Sequence, residues 1–259
     1  MVLGGAAGGR AATGVAACPA MGFRAHRHAI LVVGVRSDTV FRGPVHGGGA
    51  GREPLIMTAC RFPDNCSSGG AGVFCTRPVA FTDCTISYNA AELCVEGGGV
   101  LCVTTTVSMT RCVIAENFAK VRGGGVYGTH DAWLQLRDCA IFGNRTHEEG
   151  GGLFGTGTAV NCIVAENTAA VSGGVGGSWR LEHCTIAGNA CRGLDLSDGR
   201  LDSCIVWDNA GVSRLSWSSA TPDVSYSCLE GEVVLPGMGN TNTDPRFLGW
   251  RTRTEVYVD

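Results

Sequence analysis

No run of about eighteen or more apolar residues occurs in this chain of 259, which excludes a membrane-spanning helix. Sustained helical periodicity is missing too, and glycine triplets recurring through the chain would break paired helices. Charge of one sign is scarce, and a formal net charge of −3 gives no reason to expect a polyanionic partner. Aromatics make up 7% and are not interleaved with Lys and Arg, so no nucleic-acid partner is expected. Glycine is plentiful, at 40 residues, but lacks the period of three that collagen requires, and so points to a structure full of bends. What charge there is lies unevenly. Residues 1–52 hold six Arg and one acidic residue, net +5, leaving −8 for the rest, and read as a solvated arm.

What is abundant is a repeat. The skeleton Cys, any residue, an apolar residue, two more, then Asn occurs as CRFPDN at Cys60, CTISYN at Cys84 and CVIAEN at Cys112. It returns as CAIFGN at Cys139, CIVAEN at Cys162, CTIAGN at Cys184 and CIVWDN at Cys204. The spacings are 24, 28, 27, 23, 22 and 20 residues, and a further step of 24 reaches Cys228, where the Asn is missing. Between motifs a glycine cluster leads into an apolar residue: Val73, Val100, Val126, Leu153, Val175 and, in decayed form, Leu194. Such a period signals a solenoid. "VAFTDCTISYN" and "LQLRDCAIFGN" are short, alternating and β-branched, and regularly spaced leucines are few. These features predict an all-β chain: a single right-handed parallel β-helix of about eight coils.

In that coil, equivalent residues stack about 4.8 Å apart. Cys60, Cys84, Cys112, Cys139, Cys162, Cys184 and Cys204 are expected as a ladder of small, free, buried thiols. Ile or Val two residues on fills the same interior face. Asn65, Asn89, Asn117, Asn144, Asn167, Asn189 and Asn209 are expected at the next corner, tolerating a left-handed backbone and passing amide hydrogen bonds along the stack. Stacked Cβ atoms about 5 Å apart exceed the roughly 3.5–4.5 Å of a disulfide. A ladder also spreads its sulfurs along a line, so no metal is expected, and nothing calls for a cofactor. The pairing of Cys18, Cys66, Cys94 and Cys191 is not readable from sequence.

The alternation of GGGV or GGGL with an apolar-x-x-Asn turn resembles the right-handed parallel β-helix repeat proteins of bacterial surfaces. Among these it is similar to the polymorphic outer-membrane protein repeats, whose pattern is GGA[ILV] with F-x-x-N. Gly often stands here in place of the Ala, and Ile or Val in place of the Phe, which only "RFPDN" keeps. "GNTNTDPRF", Gly239 to Phe247, resembles the closing segment of secreted bacterial β-helix proteins. The resemblance spans roughly residues 55–248. It implies an extracellular or bacterial-surface location and a glycan or cell-surface protein as partner. Proteins of this kind include adhesins, passengers and polysaccharide enzymes.

Chemistry, where sought, has few supports. The residues before successive motif Cys are Asp83, Arg111, Asp138, Asn161, His183 and Ser203, of which Asp83, Arg111 and Asp138 form an acid–base–acid stripe that reads as a surface ion-pair ladder. "NTD" at Asn242–Asp244 resembles one polygalacturonase motif, but the companion acidic pair, Gly-His-Gly and Arg-x-Lys are missing. His130 and Asp131, with Trp133 beside them, and Glu148 and Glu149, next to His147, are the candidates for a catalytic sugar site. Phe74, Leu101, Tyr127 and Phe154 should stack as a second stripe. Either they face inward, or Val73, Val100, Val126 and Leu153 do and the first set is an outer binding surface with Trp133.

The N-terminus lacks the uninterrupted apolar stretch of a signal peptide, because Arg10 interrupts it. "VAAC", ending at Cys18, has the look of a lipoprotein cleavage site without the segment that should precede it. Residues 1–54 are expected to be an arm serving as cap or first coil, 55–248 the repeats, and 249–259 a tail. "TEVYVD" reads as a strand cut short, so a fragment of a longer modular protein is expected. The favoured role is a non-enzymatic scaffold or adhesin-like surface. Its rivals are a polysaccharide lyase or hydrolase, and a structural stalk.

Overall fold

A computed structural model describes residues 55–247 except 66–71, 92–95, 211–214, 218–222 and 233, together with the backbone of four earlier strands. Those strands are Val2–Leu3, Leu31–Val32, Val35–Arg36 and Val45–Gly47. Cys18, Cys66, Cys94, the rest of the arm and the tail with "TEVYVD" lie outside the described residues.

The chain is a right-handed parallel β-helix of about seven turns, with no helix among the described residues and so none that could cross a membrane. Parallel strands cannot be joined by a tight turn, and here each coil is itself the connection that returns the chain beside its predecessor. The motif strands form one eight-stranded sheet, from Arg61–Pro63 through Thr85–Ser87 and Ala140–Phe142 to Cys228–Leu229. Its interior row is in register, Ile86 on Ile114, Ile114 on Ile141, and Ile141 on Val164. Val2–Leu3 and Leu31–Val32 pair as a separate two-stranded sheet, and the remaining strands build a larger sheet that wraps the other sides of the coil. Alternation fixes what is inside. In Trp133–Arg137 the buried residues are Leu134 and Leu136, and the other three point outward.

Both ladders are present. The motif cysteines are buried, as are all seven asparagines. Each interior Asn donates from Nδ2 to the Oδ1 of the Asn on the next coil: Asn89 to Asn117 at 2.8 Å, Asn117 to Asn144 at 2.9 Å, Asn144 to Asn167 at 3.0 Å. The same oxygen also accepts the preceding Asn's backbone N–H, as from Asn117 to Asn144 at 3.0 Å. The left-handed residue, however, is not the Asn. It is the residue before it, with φ 55° at Tyr88, 54° at Glu116 and 53° at Glu166, and equally the residue before each Cys, with φ 54° at Asp83 and 51° at Arg111. A left-handed residue reverses the side-chain alternation at each bend, so Cys and Asn both turn inward without adopting strained torsions themselves.

Each thiol closes its own bend by donating to the carbonyl two residues back, Cys84 to Thr82 at 3.3 Å and Cys139 to Arg137 at 3.2 Å. The final rung departs from the expected one. Ser227, not Cys228, continues the ladder: its hydroxyl accepts Cys204 N–H at 3.0 Å and donates to Ser225 O at 2.8 Å. Cys228 pairs with Ile205 and is half-buried. Asn240, preceded by left-handed Gly239, then accepts the Ser227 N–H at 3.1 Å and closes the column.

All eleven described cysteines, Cys191 among them, are free. Burial pushes the Cys75 thiol well above its ordinary value and Cys102 up to about 12. Cys112 and Cys162 are raised first by hydrogen bonds to neighbouring thiols, then by burial. Every ladder cysteine is buried beyond the reach of a reagent, so the ladder should be inert whichever thiol of a neighbouring pair holds the proton. Native protein treated with iodoacetamide is expected to leave Cys60 through Cys204 of the ladder unmodified, while half-buried Cys191 is alkylated. Peptide mass spectrometry reads this directly; ladder cysteines labelled as fast as Cys191 would contradict a packed thiol core.

Candidate functional site

Val73, Val100, Val126 and Leu153 face the core, as do Cys75 and Cys102. Phe74, Leu101, Tyr127 and Phe154 therefore lie on the outer side of the sheet, paired in register along it. The middle two are nonetheless covered, Leu101 and Tyr127 being each only 7% exposed, while Phe74 and Phe154 at the ends are half-buried. The cover is a charged rung above the glycine turns. Arg122 bridges Glu96 at 3.7 Å and Glu149 at 3.0 Å, and its guanidinium lies 5.6 Å over the Phe154 ring. Tyr127 and Phe154 stack at 5.9 Å. Burial, then the Glu96 carboxylate, pushes the Tyr127 phenol up. This stripe is a satellite core beneath an ion-pair lid.

His130 and Asp131 are exposed in the turn between Val126–Gly128 and Trp133–Arg137. His147, with its ring edge against Phe118 at 5.3 Å, and exposed Glu148 precede the glycine cluster of the next coil, and Glu149 is held by Arg122. The two groups thus lie at opposite ends of one sheet segment and share no hydrogen bond or ion pair. The structure does not assemble them into one sugar-cleaving site. Among the described residues, no three His, Cys, Asp or Glu side chains gather as a metal site.

The stripe before the cysteines contains one strong rung. Arg111 donates to both Asp83 oxygens, at 2.7 and 2.9 Å. Asn161 donates to Asp138 at 2.7 Å. The hydrogen bond from Arg111 holds the Asp83 carboxyl below its ordinary value. Its contribution is therefore present above the ordinary Asp pKa and lost as pH falls through the lowered one. Arg111→Gln is expected to return the Asp83 titration, followed by carbon NMR, to the ordinary range. It should barely move the neutral-pH unfolding midpoint, since both partners are about half exposed, at 55% and 45%. An unmoved Asp83 titration would deny the pairing in solution.

A groove of about 380 Å³ opens on the outer face of the large sheet, lined by Trp133, Ser178, Arg180, Asp198, Arg200 and Asp223, with Thr156 between Trp133 and Ser178. Trp133 stands 42% exposed at one end. Ser178 is joined to Ser197 at 2.9 Å, where a bulge offsets the pairing with Asp198. Arg180 and Arg200 are register partners, and Asp223 pairs with Arg200 in the next coil at 3.7 Å. Inside the same strands, Trp179 fills the core, its Nε1 donating to Gly176 O at 3.0 Å. Gly157 and Gly199, its register partners on either side, leave the room it needs.

Only Trp133 of this groove is a residue the sequence suggested. Arg180 and Arg200 had a readable signal, a fixed offset from the cysteine. Four residues before Cys112, Cys139, Cys162, Cys184 and Cys204 stand Ser108, Gln135, Thr158, Arg180 and Arg200, all on the outer face. No curated protein and no solved structure matches the chain. Residues 48–169 match the family model described as right handed beta helix region, and the chain is built of right-handed β-helix repeats.

Proposed function

We propose that this β-helix is a non-enzymatic scaffold of secreted or cell-surface type, akin to the polymorphic outer-membrane repeats, that binds a glycan along the Trp133 groove. The observation carrying this is an exposed indole at the end of a shallow trough whose floor offers hydroxyl, guanidinium and carboxylate groups. A sugar ring presents an apolar C–H face to stack on an aromatic and a rim of hydroxyls to hydrogen-bond. Trp supplies the first need, and Ser178, Arg180 and Asp198 supply the second. The volume lies in the range of small-ligand sites. Rigid strands hold these groups, so little order has to be gained on binding.

The test is size-exclusion chromatography of the protein with a polysaccharide panel, followed by affinity electrophoresis on any polymer that co-elutes. Trp133→Ala is expected to weaken retention about tenfold, as loss of an aromatic anchor does. Polymers that emerge shortened would instead make the protein a polysaccharide-cleaving enzyme. Failure of every polymer to co-elute would leave a structural stalk.

A further inference from the structure

The outer face of the motif sheet is a second, independent surface. From Thr85–Ser87 to Ile205–Trp207, six coils, its two outward columns contain no charged residue. One column is Thr85, Val113, Ala140, Ile163, Thr185 and Ile205, with Ile163 38% exposed. In the other, Ala115, Ala165 and Ala187 are so small that they are buried between their taller neighbours. The result is an apolar trough running along the helix axis, and an apolar strip with a polar rim is how protein interfaces are built.

The rim on one side is acidic and periodic. After exposed Tyr88 in the first of these coils, the next residues in register are Glu116, Gly143, Glu166, Gly188 and Asp208, an alternation of carboxylate and glycine. All five have left-handed φ, between 53° and 63°, which aims the three acids outward at the edge of the trough. Among the described residues no cation forms an ion pair with any of them. Arg145, two residues beyond Gly143, is instead seated over the Phe118 ring at 5.3 Å. The Glu116 chain lies folded over Gly143, toward the Glu166 coil. Burial, and then the Glu166 charge, raises the Glu116 carboxyl, so the column repels itself and gains from an outside cation.

The backbone positions that carry these carboxylates, on alternate coils, stand about 9.6 Å apart, twice the strand spacing. One turn of a polyproline chain, three residues that bring the side chain back to the same face, covers about 9 Å. From this match we infer that the trough docks an extended basic polypeptide segment lying along the axis, with Arg or Lys at every third residue and uncharged apolar residues between. The cations meet Glu116, Glu166 and Asp208, and the intervening side chains cover Ile163 and its neighbours.

Fluorescence anisotropy with three synthetic peptides tests this. The probe carries Arg at every third position with Val and Pro between; one control has the same composition with the arginines contiguous, and the other has Glu in place of Arg. The probe is expected to bind several-fold more tightly than the contiguous control, and the Glu peptide not at all. Glu166→Gln should weaken the probe about three- to fivefold, and Glu116→Gln/Glu166→Gln more, as partly screened ion pairs do. Ile163→Ser should weaken the probe while leaving its salt dependence unchanged. Equal binding of probe and contiguous control would mean unspecific charge attraction and overturn the proposal. So would no binding at about 1 mM, or a probe indifferent to Glu166→Gln. Trp133→Ala should leave probe binding unchanged, since the groove lies on the other sheet.

Discussion

Asn144→Leu should cost about 4–6 kcal/mol and populate a partly unfolded solenoid at room temperature. The side chain is fully buried and works on three coils at once. Its Nδ2 donates to Ile114 O at 2.8 Å and to Asn167 Oδ1 at 3.0 Å, and its Oδ1 accepts from Asn117 N and Asn117 Nδ2. Leucine is close in size but leaves those two Asn117 donors, the Ile114 carbonyl and the Asn167 oxygen short of partners. Each buried polar group so orphaned costs about 1–3 kcal/mol. Because coils touch only their neighbours, the damage falls on the interfaces either side of Asn144, and unfolding should lose two-state character. Asn144→Asp separates acceptance from donation. A carboxyl in this column is raised by burial, so its protonated form, which can still donate, is favoured at low pH, and the variant's deficit should widen as pH rises above the ordinary carboxylate value. Urea denaturation followed by circular dichroism at two pH values measures both effects. A loss below about 1 kcal/mol for the leucine variant would show that the ladder is ornamental.

The legible parts of this fold are those in which one residue type recurs at one place in the coil. Cys and Asn recur because the interior position just after a bend accepts little else, so spacing alone identified both columns and the parallel stack. The left-handed residues beside them escaped because what is selected there is a backbone torsion compatible with solvent. Ala59, Asp83, Arg111, Tyr88, Glu116 and His183 share φ and no chemistry. Ser227 was hidden by a cysteine one position later, which suited the pattern of types but not the register. The orientation of the Phe74, Leu101, Tyr127 and Phe154 stripe could not follow from alternation, since the residues on both faces are apolar. What settles it is the glycine turn and the Arg122 rung folded across the outside, a tertiary feature. The groove was missed for a related reason. Its outer columns vary freely in type, and only numbering back from each cysteine aligns Arg180 with Arg200.

Gly124→Ala is expected to abolish soluble folded protein or to cost more than about 4 kcal/mol, a loss confined to a few mechanisms of which steric overlap with fixed atoms is one. A Cβ there would stand 2.5 Å from Gly151 O and 2.6 Å from Arg145 O, both backbone atoms of the next coil. Neither can rotate away, and Gly124 N–H is itself donated to Gly150 O at 3.1 Å, so relief requires parting two coils along the whole ladder. The three glycines of the cluster are not equivalent. Gly123 is needed for its φ of 61°, whereas Gly124 and Gly125 share the backbone approach: a Cβ on Gly125 would stand 2.5 Å from Gly152 O and 3.2 Å from the Asn144 amide carbon. Gly128, also buried and in the same coil, is the control. Its Cβ would first meet Leu134 side-chain atoms at 3.1 and 3.2 Å, which can shift, so Gly128→Ala should fold and lose about 1–2 kcal/mol at most, the range of mild overpacking. Thermal melts of the two alanine variants, made side by side, decide the matter. If Gly124→Ala melts within a few degrees of Gly128→Ala, coil separation is not set by carbonyl contact at the glycine cluster, and the strict triplets at Gly97–Gly99, Gly123–Gly125 and Gly150–Gly152 would need another cause.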